Sequence, residues 1–415
     1  MSQSESESFT DPCLVCGTST KGLHFQVSSC RASISPKSQW FHNNYHIKFF
    51  RACAAFFRRS TKTKRAYKCQ KGTGKCDLTK KVKGKPLCRF CRMKKCTAIG
   101  MNVELLNDPV AFIKPSPSQP SPISATPIAT YHEGKISVVD WHTMIDYVKQ
   151  NLSSQPDYIP AIGVKLLELQ RFQLGLNKFL SYNWPNNDCS VVADVEDKQH
   201  VVEFYIAYIL HVAQLMACSE LLMNLSLDDR FTMFKHFWIN FQQIERLFTT
   251  CQIRGYNIDD TTFLLDKKHI IDIAVSTFTM CTMSDEEKKR YNELNVPLAK
   301  LYFTYVATPF KVLKATQTEL AFIAILILWD VREIKNLSSD AVQLANEVID
   351  KVSLEMHQYY TYEMRNPVYA DRMTKLTKIA HDVQRLTQDR RNLTTMAQMF
   401  NLFSTDLPDN ELFLD

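Results

Sequence analysis

Cysteine spacing is the feature that most constrains how this chain can fold. Nine of its 13 cysteines fall within the first 96 of 415 residues, and two Cys-x2-Cys pairs stand among them. The opening stretch "MSQSESESFT" lacks a basic region and an apolar run, so it does not predict a secretory signal. Without export, dense cysteines are typical of thiolate metal ligands rather than of disulfides. The alternative is a set of scattered buried or redox-active cysteines.

The cysteines supply one complete set of metal ligands and most of another. Structural zinc prefers four tetrahedral ligands, which are often supplied as close pairs. The second half of the cysteine-rich region contains a quartet by itself, and the first half contains three ligands and needs a fourth. These sets are Cys69, Cys76, Cys88 and Cys91, and Cys13, Cys16 and Cys30. The spacing therefore predicts two structural zinc ions per chain.

Charge is distributed unevenly along the chain. Residues 1–100 carry 21 Lys and Arg against 4 Asp and Glu, whereas the remaining 315 residues carry 29 against 39. Between Cys13 and Cys96 the one acidic residue is Asp77. This asymmetry predicts a basic N-terminal module that binds polyanions, followed by a separate globular domain.

Composition predicts how the rest of the chain is organised. Residues 1–12 are rich in Ser and Glu, which is typical of disorder. Residues 107–135 contain six prolines among several Ser and Thr, which predicts an extended linker. From residue 160 the pattern is helical, with apolar stretches at 201–223 and 319–329. The sequence contains only 10 glycines and no long period-2 strand block, so we predict an all-α domain with many helices.

No stretch of the sequence predicts a membrane span. The longest apolar candidate runs from Phe204 to Ser219, which is 16 residues, and it contains His211 and Gln214. A bilayer span needs roughly 20 mostly apolar residues. We interpret the stretch as a buried helix and expect no membrane partner.

The cysteine motifs also carry a resemblance to a known family. The stretches "CLVCGTSTKGLHFQVSSCRA", "CAAFFRRS" and "LCRFCRMKKCTAIGM" resemble the DNA-binding domain of the nuclear hormone receptors, from Cys13 to Met101. The resemblance implies a small α zinc-binding module with two four-cysteine zinc sites, in which Cys53 is the fourth ligand of the first site. Cys96 matches a family position that is not a ligand. The Arg-Ala and Ala-Ala dipeptides around Cys53, with longer spacings in the second site, resemble the divergent branch expanded in nematodes.

The first site departs from the family spacing. The family has two residues between its third and fourth ligands, and this chain has twenty-two between Cys30 and Cys53. Removing twenty of them leaves "SSCRACAAFFRRS", which restores the spacing and keeps the reading frame. We therefore hypothesise that segment 31–52 contains a retained intron or a mispredicted exon edge. The alternatives are a genuine loop insertion, since loop-closure entropy grows slowly with length, and a site in which His42 and His46 are ligands.

The helix that follows Cys53 is predicted to contact DNA. Phe56 and Phe57 are expected on its buried face, and the family places this helix in the major groove. Many members have Glu-Gly before the fourth cysteine and Lys-Gly after it, whereas this chain has Arg-Ala and Ala-Ala. The base contact of that lysine is lost, and an arginine contact to guanine is expected instead. The predicted DNA-contacting residues are Arg31, Ala54, Arg58, Arg59, Lys62, Lys64 and Arg65.

The C-terminal part resembles the ligand-binding domain of the same family. The stretches "LMNLSLDDRFTMFKHFW" (222–238), "TELAFIAILILWDVREIKNLSSDA" (318–341) and "YADRMTKLTKIAHDVQRL" (369–386) are similar to its helices. The resemblance implies an all-α multi-helix sandwich and a last short helix that clamps a coactivator helix in a groove. Glu411 matches half of the pattern of that last helix. The usual lysine of the clamp aligns at Ala217, so Lys235 is the candidate substitute in the coactivator groove.

The resemblance also divides the chain and predicts its function. It implies a disordered N-terminus (1–12), a DNA-binding domain (13–101), a Pro/Ser-rich hinge (102–159) and a helical ligand-binding domain (160–415). The predicted protein is a nuclear receptor transcription factor, ligand-regulated or without a ligand, that acts in the nucleus. Expected partners are double-stranded DNA, a small lipophilic ligand, transcriptional coregulators and a second receptor subunit of the same or another kind.

The sequence leaves two other functions open and gives no sign of a third. The sequence contains no Gly-rich phosphate loop, Gly-x-Ser-x-Gly or His-Glu-x-x-His motif, so it does not predict an enzyme. One alternative is a receptor-like protein with impaired DNA binding that acts through its helical domain. The other is a zinc module that binds proteins and is fused to a helical scaffold.

Overall fold

Two units make up the chain. The first comprises Met1–Ala111 with Met356–Pro367, and the second comprises Phe112–Glu355 with Val368–Asp415. The computed structural model describes residues 13, 15–17, 23–24, 27–28, 53–62, 67–69, 71–79, 87–99, 128–132, 135–156, 166–192, 195, 198–275 and 284–400.

The N-terminal unit combines two short strands with two helices. Strand β1 (Leu23–His24) pairs with β2 (Val27–Ser28) in antiparallel orientation. Helix α1 (Cys53–Lys62) packs against α2 (Arg89–Ala98). One buried cluster of this unit consists mostly of thiols, with few large apolar groups among them: Cys13, Val15, Cys16, Cys53, Phe57, Leu78, Cys88, Cys91 and Cys96. A core this small is typical of modules that need a structural metal for stability.

A hairpin and a helix lie within the predicted hinge. Strand β3 (Ala129–His132) pairs antiparallel with β4 (Lys135–Val139), and α3 (Trp141–Ser153) follows. Helix α3 begins where the side chain of Asp140 accepts hydrogen bonds from the backbone N–H groups of His142 and Thr143. The proline-rich stretch ends at Pro127, so the extended-linker composition does not reach this helix. The predicted hinge of 102–159 therefore contains a hairpin and a helix after its proline-rich stretch.

The remaining described elements are mainly helical. Helices α4 to α11 are Glu168–Asn183, Gln199–Met216, Leu227–Arg254, Asp285–Tyr302, Thr308–Leu313, Gln317–Trp329, Ser339–Gln358 and Ala370–Met399. A 3-10 turn covers Leu222–Asn224, and π-helical turns cover Phe303–Ala307 and Tyr359–Glu363. A small sheet contains β5 (Ser190–Val191), β6 (Thr262–Leu264) and β7 (His269–Asp272), with β7 in the middle.

Helix α9 lies at the centre of the helical sandwich. It packs against α4, α6 and α11, and α4 pairs with α5 while α11 pairs with α7. Its residues from Glu319 to Trp329 are buried except for Leu326, which is half-buried. A helix that is apolar all round needs neighbours on every side. The sequence expectation of a buried helix at 319–329 and of an all-α sandwich is therefore confirmed.

The stretch 222–238 contains Asp229, whose side chain joins the start of α6 to the segment before α10. Ser226 caps the start of α6 by accepting from the backbone N–H of Asp229. The Asp229 carboxylate accepts from the backbone N–H of Ser338 at 2.9 Å and from its hydroxyl at 2.8 Å. Ser338 precedes α10, so Asp229 ties the first turn of α6 to a segment that is distant in sequence. These hydrogen bonds lower the pKa of Asp229 despite the opposing cost of its partial burial.

Candidate metal centres and nucleic-acid interface

Four thiols of the N-terminal unit converge as one complete metal site. The sulfurs of Cys69, Cys76, Cys88 and Cys91 all lie within 4.8 Å of one another. The Cys69 sulfur is 3.7 Å from that of Cys76 and 3.7 Å from that of Cys91. Tetrahedral zinc with a Zn–S distance of about 2.3 Å separates its ligand sulfurs by about 3.8 Å. The donor set and its spacing therefore fit a zinc ion.

Glycine turns point backbone N–H groups at these sulfurs. Gly72 and Gly74 have φ of +67° and +64°, a region that side chains rarely adopt. The N–H of Gly74 donates to the Cys69 sulfur at 3.3 Å, and the N–H of Cys76 donates to the Cys91 sulfur at 3.4 Å. Such donors stabilise thiolates, and a glycine turn allows them to approach closely.

The four thiols do not titrate alike. The hydrogen bond from the Gly74 N–H lowers the pKa of Cys69 to about 6. Desolvation, together with the neighbouring thiols, raises the pKa of Cys76 to about 12. Four thiolates this close repel one another unless a cation lies among them. A divalent metal removes that cost, and its binding then contributes directly to folding.

Three thiols form the first site. The sulfurs of Cys13, Cys16 and Cys53 lie within 4.8 Å of one another, and all three residues are buried. Gly17, with φ of +69°, donates its N–H to the carbonyl of Cys13 and closes the turn around the first pair. Cys53 begins α1, so this site fixes the start of that helix. The predicted third ligand, Cys30, lies outside the described residues, as does segment 31–52.

Arg92 connects the two sites through contacts that the sequence does not predict. It follows the ligand Cys91 in α2 and is 4% exposed. Its Nε and Nη2 donate to the sulfur of Cys53 at 3.3 Å and 3.1 Å, and its guanidinium lies 4.6 Å from the centre of the Phe56 ring. Nothing in the residue types distinguishes Arg92 from the other cations of this basic unit. Its role depends on how α2 packs against α1.

Cys96 is buried in the same unit without joining either group of thiols. Burial raises its pKa to about 12, so it stays protonated. This placement agrees with its exclusion from the predicted ligands.

The described surface of the N-terminal unit is strongly basic. Phe56 and Phe57 are buried on α1, whereas Arg59 of the same helix is exposed. Between Cys13 and Ile99, Asp77 is the one acidic residue that the structure describes. The exposed cations described in the same range are Arg59, Lys68, Lys71, Lys75, Arg89, Lys94 and Lys95. A surface with this excess of cations attracts polyanions.

Several predicted DNA contacts fall on residues or side chains outside the described part of the chain. The backbone of α1 includes Ala54, Arg58 and Lys62, and their side chains are outside the described part. Arg31, Lys64 and Arg65 also lie outside the described residues.

One of the two predicted coactivator-groove residues is described. Lys235 lies on α6, with its Nζ 5.7 Å from the centre of the Phe231 ring. Lys149 of α3 lies over the same ring, at 4.7 Å. Glu411 lies outside the described residues. In the described part, no helix is long and apolar enough to cross a membrane.

Two family models match this chain, one in each part. Residues 35–103 match a double treble clef zinc finger of the C4 type, and residues 193–400 match the ligand-binding domain of nuclear hormone receptors. The zinc-finger match begins inside segment 31–52, so it does not include Cys13, Cys16 or Cys30.

Relatives in Caenorhabditis elegans match almost the whole chain. Nuclear hormone receptor family member nhr-54 is 23% identical over 99% of this chain and 98% of its own length. Family member nhr-127 is 24% identical over 90% and 96%, and nhr-134 is 24% identical over 97% and 97%.

The two units define the class of a DNA-binding transcription factor with a zinc module and a ligand-binding domain. The chain belongs to the nuclear hormone receptor family. Its zinc module binds zinc through thiol groups, and members of this family are transcription factors rather than enzymes. The expected likeness to the nematode-expanded branch is confirmed by the relatives above.

Proposed function

We propose that the protein is a transcription factor of the nucleus whose zinc module binds double-stranded DNA and whose helical domain is regulated by a small lipophilic ligand. The convergence of thiols around the start of α1 and within α2 carries this proposal. Helix α1 is the element that enters the major groove, because zinc modules of this type place a helix there. The domain limits 13–101 and 160–415 are part of the proposal.

The proposed zinc ligands follow from the two thiol groups. Three thiols of the first group lie within reach of one ion, and tetrahedral zinc needs a fourth ligand. We assign that ligand to Cys30, which occupies the third ligand position in the family pattern. The full set is Cys13, Cys16, Cys30 and Cys53, and Cys69, Cys76, Cys88 and Cys91. Both sites are closed thiolate sites, which is typical of structural rather than catalytic zinc.

The proposed DNA contacts follow from the charge of the same unit. Exposed Arg59 on α1 and the exposed cations of α2 support contacts to phosphates. Phosphate contacts position a protein on the duplex, whereas base contacts specify the sequence. We assign phosphate contacts to Arg58, Arg59, Lys62, Lys64 and Arg65, and base-facing positions to Arg31 and Ala54.

A buried arginine supports the ligand-binding role of the helical domain. Arg246 is fully buried beside Glu245, and its guanidinium lies 5.3 Å from the centres of the Phe204 and Tyr208 rings. Its Nη1 has no hydrogen-bond partner among the described residues. A donor of this kind among aromatic rings suits a lipophilic ligand that carries an oxygen acceptor. Coregulators and a second receptor subunit complete the proposed set of partners.

DNA titration of the full chain at two salt concentrations tests the proposal. Release of counterions makes affinity fall steeply as salt rises, and removal of one phosphate contact reduces the slope by about one unit. Cys88→Ser should release zinc and abolish binding, because the second site holds α2. Cys96→Ser is the matched control and should keep both zinc ions.

The competing functions predict different results. A receptor that acts only through its helical domain would show no salt-dependent binding while both zinc ions remain bound. A zinc module for protein partners would show the same absence of binding even after the extra twenty residues are removed.

A further inference from the structure

The C-terminal end of helix α1 is held by a residue from the segment that leads to the second metal site. The hydroxyl oxygens of Ser60, in the last turn of α1, and Tyr67 are 2.9 Å apart, which is a hydrogen-bond distance. Ser60 is 3% exposed, and Tyr67 is half-buried. Tyr67 stands two residues before Cys69, a thiol of the second site. The contact therefore joins the end of α1 to the chain at that site.

The ring of Tyr67 supports the same face of α1. It stacks on the ring of Phe56, with the ring centres 5.9 Å apart and an angle of 30° between the planes. Phe56 and Ser60 are four residues apart, so they lie on one face of the helix. Stacked aromatic rings contribute stability beyond the area that they bury. Tyr67 thus contacts two turns of α1, one through its ring and one through its hydroxyl.

The opposite end of α1 is held by a different side chain. Arg92 of α2 donates to the sulfur of Cys53 at 3.3 Å and 3.1 Å, and its guanidinium lies 4.6 Å from the centre of the Phe56 ring. Cys53 begins α1, whereas Ser60 lies in its last turn. Side chains from outside the helix therefore hold both of its ends, and Phe56 contacts both of these side chains.

The tilt of a helix held in this way matters most at the end that Tyr67 contacts. A tilt of about 10° about Cys53 moves the far end of a helix of this length by about 2 Å. A hydrogen bond to a base edge does not survive a displacement of that size. Phosphate contacts position a protein on the duplex and carry no sequence information, so loss of the tilt affects specificity first.

We propose that Tyr67 and Ser60 are positioning residues for DNA recognition, which fix the tilt of α1 and thereby set sequence specificity without contacting a base. The inference rests on the proposed function in taking α1 as the helix that enters the major groove. Neither residue belongs to the two groups of thiols. Substitution of Tyr67 should therefore leave bound zinc unchanged and lower the ratio of specific to non-specific DNA affinity.

Two substitutions of Tyr67 separate its hydroxyl from its ring. Tyr67→Phe keeps the stack on Phe56 and removes the hydroxyl, whereas Tyr67→Ala removes both. Each full chain is titrated against a selected site and a scrambled duplex at two salt concentrations. The ratio of specific to non-specific affinity should fall about fivefold for Tyr67→Phe and at least about tenfold for Tyr67→Ala. Non-specific affinity and its dependence on salt should remain those of the wild type.

A matched control removes a hydroxyl from the same turn of α1. The Thr61 hydroxyl donates to the carbonyl of Phe57 at 2.8 Å, within the helix. Thr61→Val therefore leaves the contact between Ser60 and Tyr67 in place and should keep the wild-type ratio. Ser60→Ala completes a double-mutant cycle. In the Ser60→Ala chain, Tyr67→Phe should have no further effect, because the two hydroxyls act through each other.

Hydrogen exchange of the free chain gives a second readout that needs no DNA. The backbone amides of residues 53–62 should exchange several-fold faster in Tyr67→Ala than in the wild type, because α1 is held less firmly. Thr61→Val should exchange as the wild type does. If Tyr67→Ala does not fold, Tyr67→Phe and the double-mutant cycle decide the question.

The outcomes that overturn the inference are specific. An unchanged affinity ratio in Tyr67→Phe would mean that the hydrogen bond to Ser60 does not set the tilt of α1. Loss of zinc, or an equal loss of specific and non-specific affinity, would mean that Tyr67 supports the whole module and not the direction of α1. A wild-type chain without salt-dependent DNA binding would show that the proposed function fails, and hydrogen exchange would still report whether Tyr67 holds α1.

Discussion

At the scale of single residues, Arg92 does the most to join separate parts of the zinc module. It stands on α2 beside a ligand of the second site and donates two N–H groups to a ligand of the first. Donors to a coordinating sulfur orient it and spread its negative charge. The position of α1 relative to α2 therefore depends on this side chain as well as on the metals.

Replacing Arg92 should weaken one metal site selectively. Arg92→Gln removes the charge and the paired donors, so zinc affinity at the site of Cys53 should fall about 10- to 100-fold. Competition with a chromophoric chelator should then show one of the two zinc ions leaving earlier. Lys94→Gln, which changes an exposed cation of the same helix, should release both ions as the wild type does. Equal release from Arg92→Gln would show that the contact does not support the metal.

A half-buried carboxyl of the helical domain makes stability depend on pH. Glu355 accepts hydrogen bonds from the backbone N–H groups of Glu168 and Leu169, at 3.2 Å and 2.8 Å, in the first turn of α4. Burial raises its pKa from 4.5 to about 7. Because the folded pKa exceeds the unfolded one, the protonated carboxyl contributes stability that is full below pH about 4.5. That contribution is lost as pH rises through about 7.

Glu355→Gln should flatten this dependence. The free energy of unfolding of the wild type should fall between pH 5 and pH 8 by on the order of 2 kcal/mol more than that of the variant. Urea unfolding at several pH values measures the difference. Glu347→Gln changes an exposed carboxyl of the same helix and should leave the wild-type slope unchanged. Parallel profiles for wild type and Glu355→Gln would contradict the raised pKa.

At the scale of elements, α9 is held to α11 by one buried ion pair. Glu319 is fully buried in the first turn of α9, where it completes a capping box with Thr316. Arg372 of α11 donates to both oxygens of the Glu319 carboxylate, with Nη2 at 2.7 Å. A helix that is apolar all round can slide or rotate against its neighbours at little cost. The ion pair between Glu319 and Arg372 fixes the position of α9 along α11.

Removing the arginine should cost much more than removing a surface cation. Arg372→Leu leaves the Glu319 carboxylate buried without its cation, so the domain should lose roughly 3 kcal/mol of stability. Lys375→Leu breaks an exposed pair with Asp371 on the same helix and should cost under about 1 kcal/mol. Denaturant midpoints of the two variants give the comparison. Similar midpoints would mean that Glu319 is satisfied by its capping contacts alone.

At the scale of the whole molecule, the proposal that Cys30 and Cys53 share one zinc ion makes the length of chain between them important for α1. On that proposal, a two-residue link would fix the start of α1 against the other ligands, whereas twenty-two residues would not. We expect closure of the longer loop to cost on the order of a few kcal/mol, so zinc should still be held. Orientation of the helix affects base contacts more than phosphate contacts, because the latter tolerate small rotations.

A chain lacking twenty of these residues should therefore bind DNA more specifically than the 415-residue chain. Titration of both forms against a selected site and a scrambled duplex, at two salt concentrations, gives the specificity ratio. Non-specific affinity should be similar for the two forms, and the ratio should be higher for the short one. Equal ratios would mean that the insertion is a harmless loop.

Transcripts sequenced across codons 28–60 should mostly lack about sixty nucleotides if the segment is a retained intron.

The sequence by itself determined the features that depend on local spacing. A Cys-x2-Cys pair is typical of ligands of one ion, so the sequence could group Cys69 and Cys76 with the pair Cys88 and Cys91, and the structure brings these four sulfurs within 4.8 Å of one another. The same holds for α9, since an unbroken apolar run of helical length has to be buried.

Tertiary structure alone decided the features that join distant segments. The stripe of Met144, Val148 and Leu152 follows a proline-rich stretch, and only the surface of α5 and α6 gives it a place to be buried. Arg92 and Arg372 look like other surface cations in the sequence, because a side chain's partner is set by the packing of two helices. Local spacing is encoded by neighbouring residues, whereas these contacts require the chain to return to itself after tens of residues. That is why the thiol clusters could be predicted from the sequence and the packing of α3 against α5 and α6 could not.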